Sequence, residues 1–231
     1  MMNNRLSVLI PVYNEENTIL NILKRIKECE IDGFDFEIIV INDGSTDNTL
    51  KIIKENTNLF NHLVTFDQNK GKGFAVRKGL KIATGDYIIF QDADLEYDPK
   101  DFIKFTNLIN QFPVDIIIGS RFNYSEYTRS HNIANKIGNN ILTFIFNLLY
   151  NTTFTDIYSC YLAFRRDILN IDELKTDGFE QHAEILCKLI KKGDKFYEVP
   201  ISYNGRSAAE GKKIKFYHFF SVLYRIFIEK F

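Results

Sequence analysis

Short apolar segments alternate with helical patterns through the first half of the chain, and this alternation limits the folds that the chain can adopt. Five segments read as strands because they are short, apolar and bounded by turn residues: 6–10, 36–41, 63–66, 87–90 and 115–118. They lack the polar alternation of a strand with one exposed face. The pattern predicts an α/β fold in which helices cover both faces of a mostly parallel sheet.

The stretches between these segments carry helix signals. Apolar residues recur at helical spacing over 19–26. Ser45 or Thr46 is expected to cap a second helix, a third is predicted over 74–83, and Pro99 is expected to open a fourth. The second half of the chain is less regular and carries two amphipathic clusters.

Composition narrows the choice of class. The 231 residues, 45% hydrophobic and 26% charged, suit one globular domain, and a net charge of −1 gives no overall attraction to nucleic acid. The three scattered cysteines form neither a disulfide framework nor a zinc-binding CxxC pair. We expect no signal peptide, and the most apolar stretch, 141–150, has about half the length of a membrane span.

Polar residues follow the five predicted strands where each strand ends. Ligands of parallel α/β sheets sit at the carboxyl ends of the strands, so five loops are expected to converge on one crevice. The loops begin with Pro11-Val12-Tyr13-Asn14-Glu15, Asn42-Asp43-Gly44-Ser45, Asp67-Gln68-Asn69, Gln91-Asp92-Ala93-Asp94 and Gly119-Ser120-Arg121.

The fourth of these loops, within "IIFQDADLEY", carries two carboxylates two residues apart, Asp92 and Asp94. On an extended chain they point roughly the same way and would repel each other. This predicts a divalent cation with hard oxygen ligands, Mg²⁺ or Mn²⁺. The alternative, that one of them only caps the helix near Pro99, is disfavoured by their position at a strand end.

A dinucleotide-binding site is the natural rival for such a fold. The glycine-rich stretch "NKGKGFAVRKG" follows the third strand, and the glycine after Gly71 and Gly73 is Gly79, so the G-x-G-x-x-G spacing fails. A P-loop and a GxSxG elbow are also missing from the sequence. Gly71 and Gly73 either permit a tight turn or contact a phosphate.

Taken together, "SVLIPVYNEENTI", "IIVINDGSTDNT", "NKGKGFAVRKGLKIATGDYIIFQDADLEYDP" and "IIIGSRF" resemble the family 2 glycosyltransferases of GT-A fold. The later stretches "TDIYSCYLAFRRDIL", "GFEQHAEILCKLIKKG" and "YEVPISYNGR" are similar to the branch that contains dolichyl- and polyprenyl-phosphate mannose and glucose synthases. The resemblance extends over nearly the whole chain and implies a Rossmann-like sandwich with amphipathic C-terminal helices.

The resemblance also implies a donor site. Asp92 and Asp94 correspond to the aspartates that hold the metal on the sugar-nucleotide diphosphate. Arg121 is expected to grip phosphate oxygens bidentately, with a surface salt bridge as the alternative. Asp94, Arg121 and Asp156 are the predicted catalytic residues. The predicted nucleotide-sugar-binding residues are Pro11, Tyr13, Glu15, Asp43, Lys72 and Asp92.

The acceptor decides whether a general base is needed. A polyprenyl phosphate needs none, because its oxygen is already anionic near neutral pH, whereas a sugar hydroxyl does. Asp156 is expected to position the acceptor; it is the candidate base if the acceptor is a hydroxyl, and N-capping is the alternative. His182 is interpreted as a packed histidine outside the site. The candidate ligands of an acceptor phosphate are Arg129, His131, Arg206, Lys212 and Lys213.

Two departures from the branch affect the acceptor. Where its members read closer to "TDxxSGFR", this chain has Cys160 and Leu162 in place of the small residue and the arginine. The QxxRW motif of processive enzymes is missing and the chain has no Trp, which disfavours a polysaccharide synthase. The amphipathic stretches 141–150 and 216–227 are expected to lie either in a membrane interface, in the core or in a dimer face.

The sequence therefore predicts a single GT-A catalytic domain over 1–231, with a nucleotide-sugar and metal half at 1–122 and an acceptor half at 123–231. The predicted reaction is metal-dependent, inverting transfer of one hexose of mannose or glucose type from GDP- or UDP-hexose to polyprenyl phosphate, on the cytoplasmic face of a membrane. The alternatives are a saccharide hydroxyl acceptor and a non-catalytic nucleotide-sugar-binding subunit. A membrane surface, a second copy of the chain and a small membrane protein are the expected partners, and nucleic acid is not.

Overall fold

The structure, a computed structural model, describes residues 4–123, 129, 133–206 and 217–231. The described strands form one seven-stranded sheet in the order β3-β2-β1-β4-β6-β5-β7, and β6 alone runs antiparallel to its neighbours. The strands are β1 (Asn4–Val12), β2 (Phe34–Asn42), β3 (His62–Thr65), β4 (Tyr87–Phe90), β5 (Ile116–Ser120), β6 (Leu162–Arg165) and β7 (Phe196–Pro200).

Seven α-helices accompany these strands in the described part of the chain. They are α1 (Ile19–Lys27), α2 (Thr49–Glu55), α3 (Lys72–Ile82), α4 (Phe102–Gln111), α5 (Ile133–Tyr150), α6 (Gln181–Lys192) and α7 (His218–Lys230). The predicted α/β fold with a mostly parallel sheet is confirmed. The apolar segments predicted β1 to β5 because strands buried on both faces read as continuous apolar runs.

The N-cap predicted for α2 is wrong. The helix begins at Thr49, and the hydroxyl of Ser45 instead accepts a hydrogen bond from the backbone N–H of Asn14 at 3.0 Å. The N–H of Thr46 donates to the side-chain oxygen of Asn14 at 2.8 Å. The residues read as a cap therefore join the loops after β1 and β2.

A short 3₁₀ turn, Pro99–Asp101, leads into α4, and the carboxylate of Asp98 accepts a hydrogen bond from the N–H of Lys100 at 3.1 Å. Asp98 is thus the residue that caps this turn. The alternative reading of Asp92 and Asp94 as caps is wrong.

Leu162 opens β6, which lies between β4 and β5, and its side chain is fully buried. An arginine at this position of the sheet would have to bury its charge. Strand β6 itself was not predicted, because four residues carry too little periodicity to separate a strand from a loop.

The helices α5 and α7 pack against each other and each has one buried and one exposed apolar face. Leu142 and Phe146 of α5 are buried, as is Val222 of α7. The exposed faces follow the i, i+3, i+4 spacing of a helix stripe. They comprise Ile133, Ile137, Ile141, Phe144 and Leu148 on α5 and Tyr217, Phe220, Tyr224, Phe227, Ile228 and Phe231 on or beside α7. No helix in the described ranges is long and apolar enough to cross a membrane.

Candidate active site

The loops at the carboxyl ends of β1 to β5 converge as predicted, on a cavity of about 500 Å³. We call the part of the cavity wall that the loops after β1 and β2 form the donor end, after the role predicted for it. We call the part that α5, the start of α6 and α7 form the apolar end. The donor end includes Pro11, Tyr13, Glu15 and Asp43, and the apolar end includes Leu142, Phe179, Phe219 and Val222.

Lys72, the first residue of α3, pairs with Asp92 in the cavity wall. Its ammonium donates to the Asp92 carboxylate at 2.5 Å. Burial disfavours the charged form of both groups, but the attraction between the two charges is larger. Asp92 raises the pKa of Lys72, and Lys72 holds the pKa of Asp92 below its usual value. Both groups are therefore charged near neutral pH.

Asp94 lies in a more crowded position. Burial, followed by the charges of Asp92 and Glu96, raises the pKa of Asp94 to about 7. Its carboxylate accepts a hydrogen bond from Arg206 at 3.0 Å. Leu95, the next residue, has a φ of +63°, a left-handed conformation that costs a non-glycine residue about 1 kcal/mol. Strained backbone of this kind is typical of functional loops.

The guanidinium of Arg206 bridges the loops after β1 and β4. It pairs with Glu15 at 3.1 Å and with Asp94 at 3.0 Å, and its backbone N–H donates to Glu96 at 2.7 Å. Arg206 was predicted to hold an acceptor phosphate. Its guanidinium pairs with Glu15 and Asp94 in this structure, and its role toward an acceptor phosphate stays a prediction.

Asp43 closes the donor end from β2. Its two oxygens accept hydrogen bonds from the backbone N–H groups of Lys70 and Gly71, each at 2.9 Å. Burial nevertheless raises the pKa of Asp43. Gly71 has a φ of +99°, and a Cβ there would lie 2.3 Å from the carbonyl oxygen of Asp177. Conformation and close packing therefore both require glycine at this turn, while contact with a phosphate stays a prediction.

Arg121 and Asp156 form a buried ion pair. The Nε of Arg121 donates to one Asp156 oxygen at 2.6 Å and its Nη2 donates to the other at 2.8 Å. Asp156 is fully buried and does not line the cavity, whereas Arg121 does. The pair is buried, so neither the surface salt bridge nor the N-cap alternative describes it, while the contact of Arg121 with phosphate stays a prediction.

Of the remaining predicted acceptor ligands, the structure describes Arg129, which does not line the cavity. The side chain of Arg129 is exposed and donates to the backbone oxygen of Gly205 at 3.3 Å. His131, Lys212 and Lys213 lie outside the described residues.

The sequence matches a known protein family and several named relatives. The family model "Glycosyl transferase family 2" matches residues 7–171. The chain belongs to glycosyl transferase family 2. A UDP-N-acetylglucosamine–dolichyl-phosphate N-acetylglucosaminyltransferase of Methanococcus voltae is 31% identical over 251 aligned positions, covering 100% of this chain and 98% of that protein. A low-salt glycan biosynthesis hexosyltransferase of Haloferax volcanii is 30% identical over 87% of this chain and 48% of its own length.

Solved structures of other proteins share the fold. The glucosyl-3-phosphoglycerate synthase of Mycobacterium tuberculosis in complex with UDP has a TM-score of 0.74 at 18% identity, covering 98% of this chain and 80% of that one. The same enzyme has been crystallised with Mn²⁺ and UDP. These similarities confirm the predicted GT-A fold.

The paired aspartates fit a divalent cation. Two adjacent carboxylates, one with a raised pKa, carry excess negative charge that Lys72 and Arg206 offset in this structure. Among the described residues no group of three or more His, Cys, Asp or Glu side chains is placed to hold a metal. A cation bound by Asp92 and Asp94 would therefore complete its shell with water and phosphate oxygens, as Mg²⁺ commonly does.

Several cavity residues were missed or set aside by sequence reasoning. His182, interpreted as a packed residue outside the site, lines the cavity together with Gln181. Asn139 of α5 and Tyr158 line it as well. Only the polar run Glu180-Gln181-His182 before the apolar part of α6 signalled this, and helix spacing alone does not show which residues face a cavity.

Proposed function

We propose that this family 2 glycosyltransferase transfers one sugar from a nucleotide sugar to a polyprenyl phosphate at a membrane surface, using Mg²⁺ or Mn²⁺, with 1–231 acting as one catalytic unit. The main support for this proposal is that a carboxylate-rich donor end and an apolar end formed by α5, α6 and α7 line the same cavity.

The donor end suits a nucleoside diphosphate. Asp43 and Glu15 supply acceptors for base and ribose groups, as the family resemblance implies. Asp92 and Asp94 are placed to hold the cation on the diphosphate, and such a cation stabilises the charge on a departing phosphate. Lys72 brings a second positive charge to the same part of the cavity.

The distribution of carboxylates favours an acceptor that needs no general base. In the described part of the cavity wall the carboxylates are Glu15, Asp43, Asp92, Asp94 and Glu96, and none belongs to the apolar end. Asp156, the candidate base for a hydroxyl acceptor, holds Arg121 with both of its oxygens. A phosphate monoester is already anionic near neutral pH and attacks without losing a proton to the protein.

Arg121 is the residue we assign to the acceptor phosphate. It lines the cavity, and Asp156 fixes the orientation of its guanidinium. A positive charge held in this way lowers the repulsion between the acceptor phosphate and the diphosphate of the donor. The attacking oxygen then displaces the nucleoside diphosphate with inversion at the anomeric carbon.

The exposed apolar stripes of α5 and α7 support a lipid acceptor. Phe144 and Leu148 are 68% and 74% exposed, respectively. The buried faces of the same helices supply Leu142 and Val222 to the apolar end of the cavity. A prenyl chain leaving the cavity would therefore meet the surface that we propose lies in the membrane interface.

The sugar itself is less constrained. A hexose of mannose or glucose type was predicted, and the M. voltae relative is named for transfer of N-acetylglucosamine to dolichyl phosphate. Both classes of sugar therefore belong in the test of the donor.

The test is direct transfer. The purified protein is incubated with Mg²⁺ or Mn²⁺, labelled UDP- and GDP-sugars, and polyprenyl phosphate in vesicles, and the label that enters the organic phase is measured. We expect one sugar to label the lipid and EDTA to abolish the labelling. Label on a saccharide acceptor and none on lipid would contradict the proposal, and binding of a nucleotide sugar without transfer to any acceptor would favour the non-catalytic alternative.

Membrane binding has its own test. The paired substitutions Phe144→Ser and Leu148→Ser should reduce flotation with anionic vesicles, since each exposed apolar side chain contributes about 1.5 to 3 kcal/mol when it is buried. Ile103→Ser on α4, whose side chain is 41% exposed, is the matched control. Equal flotation of the paired variant and the control would show that α5 does not contribute to membrane binding.

A further inference from the structure

Unpaired nitrogen atoms cluster around the cavity. Of the buried side-chain polar atoms that have no hydrogen-bond partner among the described residues, four belong to cavity-lining residues: Asn139, Gln181, His182 and Arg206. A buried N–H group without a partner costs about 1 to 3 kcal/mol, so such groups are rarely retained without a use. Gln181 and His182 are adjacent in the first turn of α6.

His182 lines the same cavity as Lys72, Asp92 and Arg121. The charges of these three groups and of Asp156 act on its imidazole. These are the groups assigned above to the donor diphosphate and to the acceptor phosphate. The sugar of a nucleotide sugar has to occupy the space between those phosphates at the moment of transfer.

The surroundings of His182 are otherwise aromatic. The ring of Tyr158 meets it edge-on at 5.8 Å between centroids, and the ring of Phe90 lies at 6.4 Å. Burial, followed by the charge of Lys72, lowers the pKa of His182 to about 4. The imidazole carries at least one N–H donor whether it is neutral or protonated.

Gln181 is almost fully buried, with 2% of its surface exposed. A Cβ on Gly73 would lie 2.8 Å from the Cβ of Gln181, so the start of α6 packs tightly on the start of α3 beside Lys72. Gln181 lines the cavity together with Lys72, and the nitrogen of its side-chain amide is buried with no partner among the described residues.

We propose that Gln181 and His182 bind the sugar ring of the donor, with their N–H groups donating to its hydroxyl or acetamido oxygens. This inference rests on the proposed function and assigns the sugar subsite within it. The two side chains hold the ring beyond the diphosphate, with its anomeric carbon facing the acceptor end of the cavity.

The test compares a nucleoside diphosphate with its nucleotide sugars by isothermal titration in the presence of Mg²⁺ or Mn²⁺. The ligands are UDP, UDP-glucose and UDP-N-acetylglucosamine, and GDP with GDP-mannose. Gln181→Leu and His182→Phe keep the bulk and remove the polar atoms. We expect each variant to bind the nucleotide sugar about tenfold more weakly than the wild type does and to bind the diphosphate unchanged.

Gln111→Leu is the matched control, because Gln111 is exposed at the end of α4. Retained diphosphate binding shows that a variant is folded; a variant that loses it is replaced by Gln181→Ala or His182→Asn and judged by the same ratio. If the variants keep the wild-type ratio between nucleotide sugar and diphosphate, the sugar subsite is wrong and the proposed function stands. If the wild type binds neither UDP nor GDP, the proposed function and the subsite fall together.

Discussion

Glu37, near the amino end of β2, is fully buried, and Asp94, just beyond the carboxyl end of β4, is partly buried; the two carboxylates have opposite surroundings. Glu37 accepts hydrogen bonds from the Ser7 hydroxyl at 2.5 Å and from the N–H and hydroxyl of Thr84 at 2.8 and 2.7 Å. Burial opposes its charge, but these bonds, together with Arg5, hold the pKa of Glu37 below its usual value.

Asp94 has neighbours of its own sign. Burial, Asp92 and Glu96 raise the pKa of Asp94, whereas hydrogen bonds and an arginine lower that of Glu37. The carboxylate at the amino end therefore stabilises the fold. The carboxylate at the carboxyl end is held at a cost that a bound cation would relieve, and this difference separates a structural charge from a functional one.

The largest expected effect follows from Asp94→Asn. We expect sugar transfer to fall about a thousandfold, equivalent to about 4 kcal/mol, because the substitution removes a proposed metal ligand. The melting temperature should stay level or rise, since a repulsive charge has been removed. Asp172→Asn, at a side chain that is 82% exposed, is the control and should change neither quantity. A large loss of stability in Asp94→Asn would show that Asp94 stabilises the fold as Glu37 does.

Substitution of Asp156 shows whether this carboxylate stabilises the fold, as Glu37 does, or acts in the reaction, as we propose for Asp94. Because it is fully buried against Arg121, Asp156→Asn should leave a buried charge uncompensated and cost about 3 kcal/mol of unfolding free energy, measured by denaturant titration. Loss of transfer to a hydroxyl acceptor at unchanged stability would instead identify Asp156 as a catalytic base and would sink the lipid phosphate proposal.

Glu37→Gln should act on stability alone. The substitution weakens the hydrogen bonds from Ser7 and Thr84, and we expect a loss of about 2 kcal/mol in unfolding free energy. Nucleoside diphosphate affinity should not change, because Glu37 does not line the cavity. Glu55→Gln, at an exposed position of α2, is the control. Weakened nucleotide binding in Glu37→Gln would mean that the two ends of the sheet are coupled.

The smallest effect is a pH dependence. Since the pKa of folded Glu37 lies below its ordinary value of 4.5, its contribution to stability is complete above that pH and is lost as the pH falls through the folded pKa. Wild type and Glu37→Gln should therefore converge in stability under acid, and differ most near neutral pH. Parallel acid unfolding curves for the two proteins would show that the charge of Glu37 is not what stabilises the sheet.

Sequence alone determined the features that depend on neighbours along the chain. Buried strands of a parallel sheet read as apolar runs, so β1 to β5 and the polar loops at their ends were predictable, and with them the pair Asp92 and Asp94. The fold and family followed from the order of those motifs. Strands β6 and β7 were not predicted, because their short apolar runs in the less regular second half of the chain gave no clear strand signal.

Tertiary structure decided which charges meet. Arg121 pairs with an aspartate 35 residues away, and Arg206 pairs with an aspartate 112 residues away. The placement of Gln181 and His182 in the cavity depends in the same way on how α6 packs against α3. Local periodicity fixes which residues form a helix or strand, but the partner of a buried charge is set by the packing of elements distant in sequence, where an unpaired charge is costly.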